Sequence, residues 1–215
     1  MSEAVKSRKE KEEEARCEHI LKQAEELFAD KGLHETSVAD IAKASEFGIG
    51  TLYKYFKDKN NLIHSLINSR LNAHFDTVDE ALAHDNSPSI VVSGFIEAYL
   101  KSVKERRIFF KMYFTNFHPG LDELKNTQKN TSSEFYTLNK RRHATLKALA
   151  KVFQRGIDIG SFEDINAEYL TTALFGMLMS FTFLAEHKYD GQIDVPSISA
   201  AIEKIFFGQM LKGTF

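Results

Sequence analysis

The chain is poor in the residues that crosslink small domains or interrupt secondary structure. Its 215 residues include one cysteine, three prolines, eleven glycines and no tryptophan. The single cysteine, Cys17, excludes an internal disulfide framework and a zinc site built from several cysteines. So few prolines and glycines argue against a collagen-like chain, a proline-rich linker or a β-sandwich dense in turns. With 43% hydrophobic residues, the chain can fill the core of one compact body, or of a small module on a larger one.

Neither sign of charge dominates the sequence. The formal net charge is −2, from 28 Lys or Arg against 30 Asp or Glu. The strongly basic composition that accompanies many nucleic-acid-binding proteins is therefore missing. Even the first 60 residues carry 11 Lys or Arg and 13 Asp or Glu, so contact with a nucleic acid has to depend on local arrangement. No basic leader followed by an apolar stretch is visible, and we expect a cytoplasmic protein.

The apolar residues recur at helical spacing and nowhere alternate convincingly over four to eight residues, as they would in a strand. Three representative stripes are Ile20, Ala24, Leu27 and Phe28; Val91, Phe95, Tyr99 and Val103; and Ile198, Ile202, Ile205 and Phe206. Pro88, Pro119 and Pro196 mark turns or helix starts between the apolar segments. The sequence predicts an all-α fold.

One long segment carries no charge. The 17 residues from Tyr169 to Ala185 contain no Asp, Glu, Lys or Arg. A membrane-spanning helix needs about 20 mostly apolar residues, and this segment is interrupted by Thr171, Thr172, Ser180 and Thr182. We therefore expect a helix buried in a core or a subunit interface, and no membrane association.

The most informative segment runs from Thr36 to Lys59 and predicts two short helices joined by a tight turn. Thr36 or Ser37 can cap the first helix, whose first turn contains Asp40. Three or four residues later a second helix begins, with Leu52 and Phe56 spaced for burial. Two such helices form a helix-turn-helix, in which the second helix enters the major groove of DNA. The exposed residues of that helix are expected to be Ile49, Gly50, Thr51, Tyr53, Lys54 and Tyr55.

The segment from about Ile20 to Leu66 resembles the DNA-binding region of the tetracycline-repressor-like (TetR) family of bacterial transcriptional regulators. The residues that carry the resemblance are Ala24, Leu27, Phe28, Lys31 and Gly32, then Thr36, Ser37, Val38, Ile41, Ala42 and Ala44, and then Gly50, Thr51, Leu52, Tyr53, Tyr55, Phe56, Lys59 and Leu62. The resemblance implies a three-helix DNA-binding domain at residues 1–66. It also implies a larger helical bundle at residues 67–215 that binds an effector and dimerises.

The resemblance further implies which residues contact DNA. The phosphate backbone would be touched by Thr36 or Ser37 and by Gly50, Thr51, Tyr53, Tyr55 and Lys59. Gly48, Ile49 and Lys54 would lie nearest the bases. The chain departs from the family pattern at Glu46, where a left-handed backbone would cost about 1–2 kcal/mol relative to glycine. It also departs at Ile49, which can read only an apolar surface such as a thymine methyl group.

Beyond about residue 69 the sequence contains no catalytic constellation. No HExxH, GxSxG, P-loop or GxGxxG occurs, and no two histidines are four residues apart. The even spacing of His64, His74 and His84 lacks companion carboxylates and is interpreted as coincidence. We expect no enzyme activity, no metal and no cofactor.

Aromatic residues are concentrated in this second part of the chain, which predicts an apolar ligand pocket between helices. The residues expected to line it are Phe95, Tyr99, Phe110, Tyr113, Phe114, Phe135, Leu138, Phe175 and Met179. Such a pocket favours a hydrophobic small-molecule effector. Arg141, Arg142 and His143 are candidates to meet an anionic head group on it.

The last two apolar segments resemble the family helices that build a four-helix dimer interface. The expected interface residues are Leu174, Met177, Leu178, Phe181, Ile198, Ile202, Ile205 and Phe206. The sequence thus predicts a homodimeric repressor that a hydrophobic effector releases from a palindromic operator in double-stranded DNA. A second hypothesis is a dimeric helical small-molecule sensor, or an interaction protein, whose DNA binding is weakened by Glu46 and Ile49.

Overall fold

The computed structural model describes residues 7–111, 133–188 and 192–208. These residues contain eight α-helices and no β-strand, which confirms the all-α prediction. The helices are α1 Arg8–Lys31, α2 Val38–Ala44, α3 Ile49–Tyr55, α4 Lys59–Leu82, α5 Pro88–Glu105, α6 Ser133–Asp158, α7 Ala167–Lys188 and α8 Val195–Phe207. A further helical turn occupies 107–111, after a break at Arg106.

An amino-terminal head is formed by α1, α2, α3 and the start of α4. Helix α1 begins at a capping box, in which the Ser7 hydroxyl accepts from the Glu10 backbone N–H and the Glu10 carboxylate accepts from the Ser7 N–H. Its first twelve residues are largely exposed, and burial begins at Ile20. From there inward-facing side chains of all four helices share one core, namely Ile20, Ala24, Phe28, Ile41, Leu52, Phe56, Leu62 and Leu66.

Helix α4 connects the head to the rest of the molecule. Asp58 caps its amino terminus by accepting from the Asn61 N–H at 2.7 Å. The helix packs against α1 at one end and against α5 and α6 further along. It runs unbroken through position 66, where the sequence-based division places the domain boundary. The head and the bundle therefore share one rigid element.

Helices α5 to α8 form the bundle that packs on α4. Helix α5 lies at its centre, in contact with α4, α6, α7 and α8, and it buries Val92, Phe95, Ile96 and Leu100 almost completely. Full burial of side chains of this size stabilises the fold by about 1.5–3 kcal/mol each. The turn after α6 folds back so closely that a β-carbon on Gly156 would lie 2.2 Å from the Phe162 ring.

Helix α7 is apolar on more than one face. By length and composition alone it is the one described helix that is long and apolar enough to cross a membrane. In the structure Leu170, Leu174 and Leu178 point into the bundle, as expected for a core helix. Its opposite face exposes Tyr169, Phe183 and Leu184. An exposed apolar face of this kind marks an association surface more often than a scattered apolar residue does.

Candidate nucleic-acid interface and effector site

The start of α2 is fixed by its own side chains. Ser37 is the N-cap residue, and its hydroxyl accepts from the Asp40 N–H at 3.1 Å. The Asp40 carboxylate accepts in return from the Ser37 hydroxyl at 2.6 Å and from the Ser37 N–H at 2.9 Å. These bonds hold the pKa of Asp40 below its usual value. Because the Ser37 hydroxyl is exposed and held in place, it remains a candidate phosphate contact.

Thr36 has a different role from the one expected of it. Its side chain is 1% exposed, and its hydroxyl donates to the Gly32 carbonyl at 2.8 Å and lies 3.3 Å from the Leu27 carbonyl. The assignment of the Thr36 side chain as a phosphate contact is therefore wrong. Thr36 instead ties the carboxyl end of α1 to the start of the helix-turn-helix.

The turn between α2 and α3 has the left-handed residue that the sequence predicts. Glu46 has φ of 59°, the one positive φ among the described non-glycine residues. The buried Ser45 hydroxyl donates to the Ile41 carbonyl at 2.7 Å, and the Phe47 N–H donates to the Ala42 carbonyl at 3.0 Å. The Phe47 ring lies edge-on to His19 of α1, with centroids 6.1 Å apart. The turn is thus fixed to α2 by hydrogen bonds and to α1 by the aromatic contact.

Helix α3 presents one face to solvent and the other to the core of the head. Leu52 is 1% exposed and Phe56 is 4% exposed, as the sequence predicts. On the opposite face Ile49 and Tyr53 are about half exposed, and the Lys54 side chain points outward. The full set of exposed or half-exposed residues expected to contact DNA comprises Ser37, Gly48, Ile49, Gly50, Thr51, Tyr53, Lys54, Tyr55 and Lys59.

The protein backbone at the start of α3 is open to an approaching duplex. A β-carbon placed on Gly48 or Gly50 would meet no atom within 4 Å, so these two positions lie open at the start of α3. Lys59, at the first position of α4, donates through Nζ to the Leu33 carbonyl. That bond holds α4 against the loop before α2. It also places the Lys59 ammonium group beside the helix-turn-helix.

Part of the predicted effector site is assembled around His74, a residue to which the sequence pattern assigned no function. The Tyr99 and Phe110 rings meet the His74 ring edge-to-face, with centroids 4.9 Å and 5.3 Å away. Phe175 lies edge-on to Tyr99 at 6.2 Å, and the Tyr99 hydroxyl donates to Met179 Sδ at 3.1 Å. Phe95 adjoins Tyr99 at 6.5 Å. We call His74, Tyr99, Phe110, Phe175 and Met179 the His74 cluster.

The remaining predicted pocket residues lie outside the described part of the structure. Tyr113 and Phe114 are in the segment 112–132, and the side chains of Phe135 and Leu138 are likewise not described. Two hollows are present on the outer surface of α5, with volumes of about 280 Å³ and 490 Å³. Both share Gly94 and Glu97, and neither includes a residue of the His74 cluster.

Arg141 is engaged by acidic residues of α4, and its guanidinium lies over the Phe75 ring, 5.8 Å from the ring centre. Its guanidinium donates to Asp76 and to Asn72, the latter at 3.0 Å, and lies 3.5 Å from Asp79. Next to it the Thr145 hydroxyl donates to Asp79 at 2.6 Å. The expectation that Arg141 receives an anionic head group is therefore wrong, because its charge already joins α6 to α4.

Half of the expected dimer-interface residues belong to the core of the protomer. Leu174, Leu178, Ile202 and Phe206 are at most 7% exposed, so they are not available to a partner and their assignment is wrong. Met177, Phe181 and Ile198 are half-buried against the same core, and Ile205 is exposed. Between Glu168 at its start and His187 and Lys188 at its end, which are also exposed, the solvent-facing surface of α7 consists instead of Tyr169, Thr172, Ala173, Gly176, Ser180, Phe183 and Leu184. We call these residues the α7 outer face.

Comparison with known proteins shows which proteins this chain resembles. The family model described as bacterial regulatory proteins, tetR family, matches residues 20–66, which are the residues of the head core. The chain is also 28% identical over 159 residues to the HTH-type transcriptional repressor KstR2 of Mycolicibacterium smegmatis, covering 72% of this chain and 73% of that protein.

Two solved structures have the same fold over nearly the whole chain. The ketosteroid transcriptional regulator KstR2 of Mycobacterium tuberculosis is similar with a TM-score of 0.69 at 19% identity, covering 92% of this chain and 96% of that one. The transcriptional regulator FadR of Bacillus subtilis, in complex with stearoyl-CoA, is similar with a TM-score of 0.66 at 18% identity, covering 87% and 96%.

Over residues 20–66 the chain matches the TetR family of bacterial transcriptional regulators, and the protein named above that it resembles over a longer stretch is a transcriptional repressor. The resemblance found in the sequence is confirmed, as is the expected order of an amino-terminal helix-turn-helix and a helical carboxyl-terminal part. The proteins that it resembles are transcriptional regulators and not enzymes.

Proposed function

We propose that this protein is a cytoplasmic, homodimeric repressor that binds a palindromic DNA operator and is released by a hydrophobic effector. The observation that carries the proposal is the two-sided arrangement of α3. Its apolar side chains Leu52 and Phe56 anchor it in the head, while Ile49, Tyr53 and Lys54 face solvent. A short helix held in this way by a helix-turn-helix is what enters the major groove.

The exposed face supplies the two kinds of contact that DNA recognition needs. Ser37, Thr51, Tyr53 and Tyr55 provide hydroxyl groups and Lys59 an ammonium group for phosphates. Lys54 and Ile49 are assigned to base edges, with Ile49 contacting a thymine methyl group. At Gly48 and Gly50 the absence of a side chain lets the backbone approach the duplex.

Dimerisation supplies the second reading helix. We assign the interface to the α7 outer face, together with Ile205 of α8, because these apolar side chains are exposed in the protomer. A two-fold axis there would present two α3 helices to successive major grooves, about 34 Å apart on one side of the duplex. Gly176 and Ala173, which carry little or no side chain, permit the two α7 helices to approach closely.

Effector binding is assigned to the bundle, where it can act on the head through α4. The same helix carries Arg70, bonded to Glu25 of α1, and His74, one turn later, in the aromatic cluster. A ligand that repacks the cluster would shift the equilibrium towards a dimer whose α3 helices no longer match the operator. The shift is limited by the difference in ligand affinity between the two forms.

The test is DNA binding at several salt concentrations, measured by fluorescence anisotropy on fragments from the promoter of the protein's own gene. Specific binding that weakens steeply with salt is expected. Lys54→Ala should weaken it, and Tyr53→Ala should do so by removing a phosphate contact. Lys101→Ala, which removes an exposed lysine on α5, is the matched control and should have no effect. Affinity for that promoter no better than for an unrelated fragment would contradict the proposal.

The second candidate is a dimeric sensor with weakened DNA binding, and one observation favours it. Glu46 is exposed beside α3, and the apolar Ile49 occupies a base-reading position. In that case the protein would dimerise and bind its ligand but ignore every promoter fragment. If Ile49→Arg or Glu46→Gln then created salt-sensitive promoter binding in a protein that otherwise had none, the second candidate would be preferred.

A further inference from the structure

The larger of the two hollows on the outer surface of α5 is lined by residues of α5 and α8, and we call it the α5–α8 hollow. Its volume of about 490 Å³ is that of a small-molecule site. Gly94, on the α5 side, has no atom within 4 Å of the position of a β-carbon. The hollow is therefore open at this point of the α5 surface, outside the bundle core.

The lining of the α5–α8 hollow carries negative charge and includes no basic side chain. Glu97 contributes a carboxylate from α5, and Glu203 contributes one from α8. Lys101 is bonded to Glu97 at 2.7 Å, but both side chains are more than half exposed, so water weakens this pair. Glu203 makes no ion pair with any residue that the structure describes. A concave surface lined by charge of one sign attracts ligands of the opposite sign, which here means a cation.

The amino terminus of α8 borders the hollow but is not free to bind an anion. Pro196 has no N–H to donate. The Ser197 N–H donates to the Asp194 carboxylate at 3.4 Å, and the Ser197 hydroxyl donates to the same carboxylate at 2.7 Å. Asp194 thus compensates the positive end of the helix dipole and adds a further negative charge next to the hollow.

The α5–α8 hollow also has an apolar surface and a hydroxyl oxygen without a partner. Ile90 is 59% exposed at its edge, next to Val195 and Pro196 in the lining. Ser199 Oγ is buried and makes no hydrogen bond with a described residue. An unmet buried hydroxyl costs about 1–3 kcal/mol, which a donor on a ligand can recover. Because Ser199 and Glu203 are four residues apart, they lie next to each other on one face of α8.

We propose that the α5–α8 hollow binds a small amphipathic organic cation. The ammonium group of the ligand donates to the Glu203 carboxylate and to Ser199 Oγ, and Glu97 attracts it from the opposite wall. The apolar body of the ligand lies on Ile90 and Pro196. This site is additional to the proposed effector site and does not depend on DNA binding.

Titrations with octylammonium, octanol and octanoate, followed by proton–nitrogen-15 NMR of the wild-type protein, test the proposal. The probes have apolar chains of nearly equal length and differ in the charge of the head group. We expect octylammonium to bind and to shift the amide signals of Gly94 and Ser199. Octanol should bind about tenfold more weakly, because its hydroxyl makes no charge-assisted hydrogen bond. Octanoate should not bind measurably, because the carboxylates of the hollow repel it.

Two variants test the assigned contacts. Glu203→Gln should weaken octylammonium binding about fivefold and leave octanol binding unchanged. Glu26→Gln, which removes an exposed carboxylate on α1, is the matched control and should change neither. Ser199→Ala should weaken octylammonium binding about threefold while raising the melting temperature, because a buried hydroxyl without a partner is removed.

Four results would each overturn the proposal. The first is that octylammonium does not bind, and the second is that octanol binds as tightly as octylammonium. The third is that Glu203→Gln or Ser199→Ala binds octylammonium as tightly as the wild type. The fourth is that octylammonium shifts the signals of Tyr99 and Phe175 and leaves those of Gly94 and Ser199 unchanged, which would place it in the bundle core.

Discussion

Arg70 of α4 donates from Nε to Glu25 Oε2 of α1 at 2.7 Å, and both side chains are nearly buried, at 13% and 11% exposure. The same guanidinium lies 2.5 Å from Glu18, two turns earlier on α1. This pair is placed where the head meets the long helix that enters the bundle. It therefore fixes the angle between the DNA-reading head and α4, the element through which an effector would act.

Arg70→Met should destabilise the protein by about 2–4 kcal/mol, because it leaves the Glu25 carboxylate buried without its partner. The measurement is urea unfolding at pH 7. Arg8→Met is the control, since Arg8 pairs with Glu12 at the exposed start of α1, and such pairs contribute no more than about 0.5 kcal/mol. Equal stability of the two variants would show that the Arg70 pair is not holding α4 to α1.

The buried His74 predicts a specific loss of stability in acid. Its pKa is about 3 in the folded state, against about 6.5 in an unfolded chain. Below pH 6.5 the unfolded state therefore binds a proton that the folded state does not, and the free energy of unfolding falls by about 1.4 kcal/mol per pH unit until pH 3. At pH 7 and above both states are neutral and the residue makes no such contribution.

Because carboxylates also titrate in this range, the prediction concerns the difference between wild type and His74→Gln. Glutamine cannot titrate, while every carboxylate is common to both proteins. The difference in unfolding free energy, from urea titrations at pH 7, 6, 5 and 4, should change steadily below pH 6.5. A difference that stays constant over this range would mean that His74 is solvated or charged in the folded state.

Replacing Glu46 should separate backbone strain from charge at the helix-turn-helix. Glu46→Gly is expected to stabilise the protein by about 0.5–1 kcal/mol. The φ of 59° is unfavourable for a residue with a β-carbon, and glycine's larger loss of backbone entropy on folding offsets part of the gain. Glu46→Ala removes the same charge but retains the β-carbon, so it should give no such gain. Thermal unfolding of both variants measures the effect, and similar melting temperatures would argue that the turn is not strained.

A charge on the α7 outer face should separate the subunits without unfolding them. Gly176 has open space around the position of a β-carbon, so Gly176→Arg fits the protomer but places a cation in the proposed interface. Sedimentation velocity should show a folded monomer, and promoter binding should weaken because the second reading helix is lost.

Gly94→Arg is the matched control for this substitution. Gly94 also lies within a helix with no atom near its missing β-carbon, but on α5 and away from the α7 outer face. That variant should remain a dimer. A Gly176→Arg protein that is still dimeric would place the interface elsewhere on the molecule.

The sequence alone was sufficient for the features that depend on neighbouring residues. The cap at Ser37, the left-handed Glu46 and the inward-facing Leu52 and Phe56 are all local. Each follows from spacing within a turn or two of chain, where backbone geometry leaves few alternatives. The all-α fold and the helix-turn-helix follow for the same reason.

The tertiary structure decided which face of each helix meets which neighbour. Thr36 looked like a cap but is buried against α1, and Leu174 and Leu178 looked like an interface but fill the core. Helix α7 is apolar nearly all round, so its periodicity does not say which side faces the bundle.

Long-range pairing was equally invisible in the sequence. His74 meets Ser102 from 28 residues away, and Arg141 meets Asn72 from 69 residues away. In the sequence, a histidine or an arginine on an amphipathic helix looks the same whether its hydrogen bonds are made to water or to a residue far away in the chain. The sequence by itself therefore determined the helices, their caps and the class of the protein. Only packing determined the burial of the His74 ring, because the burial of a polar group depends on elements that are far apart in the chain.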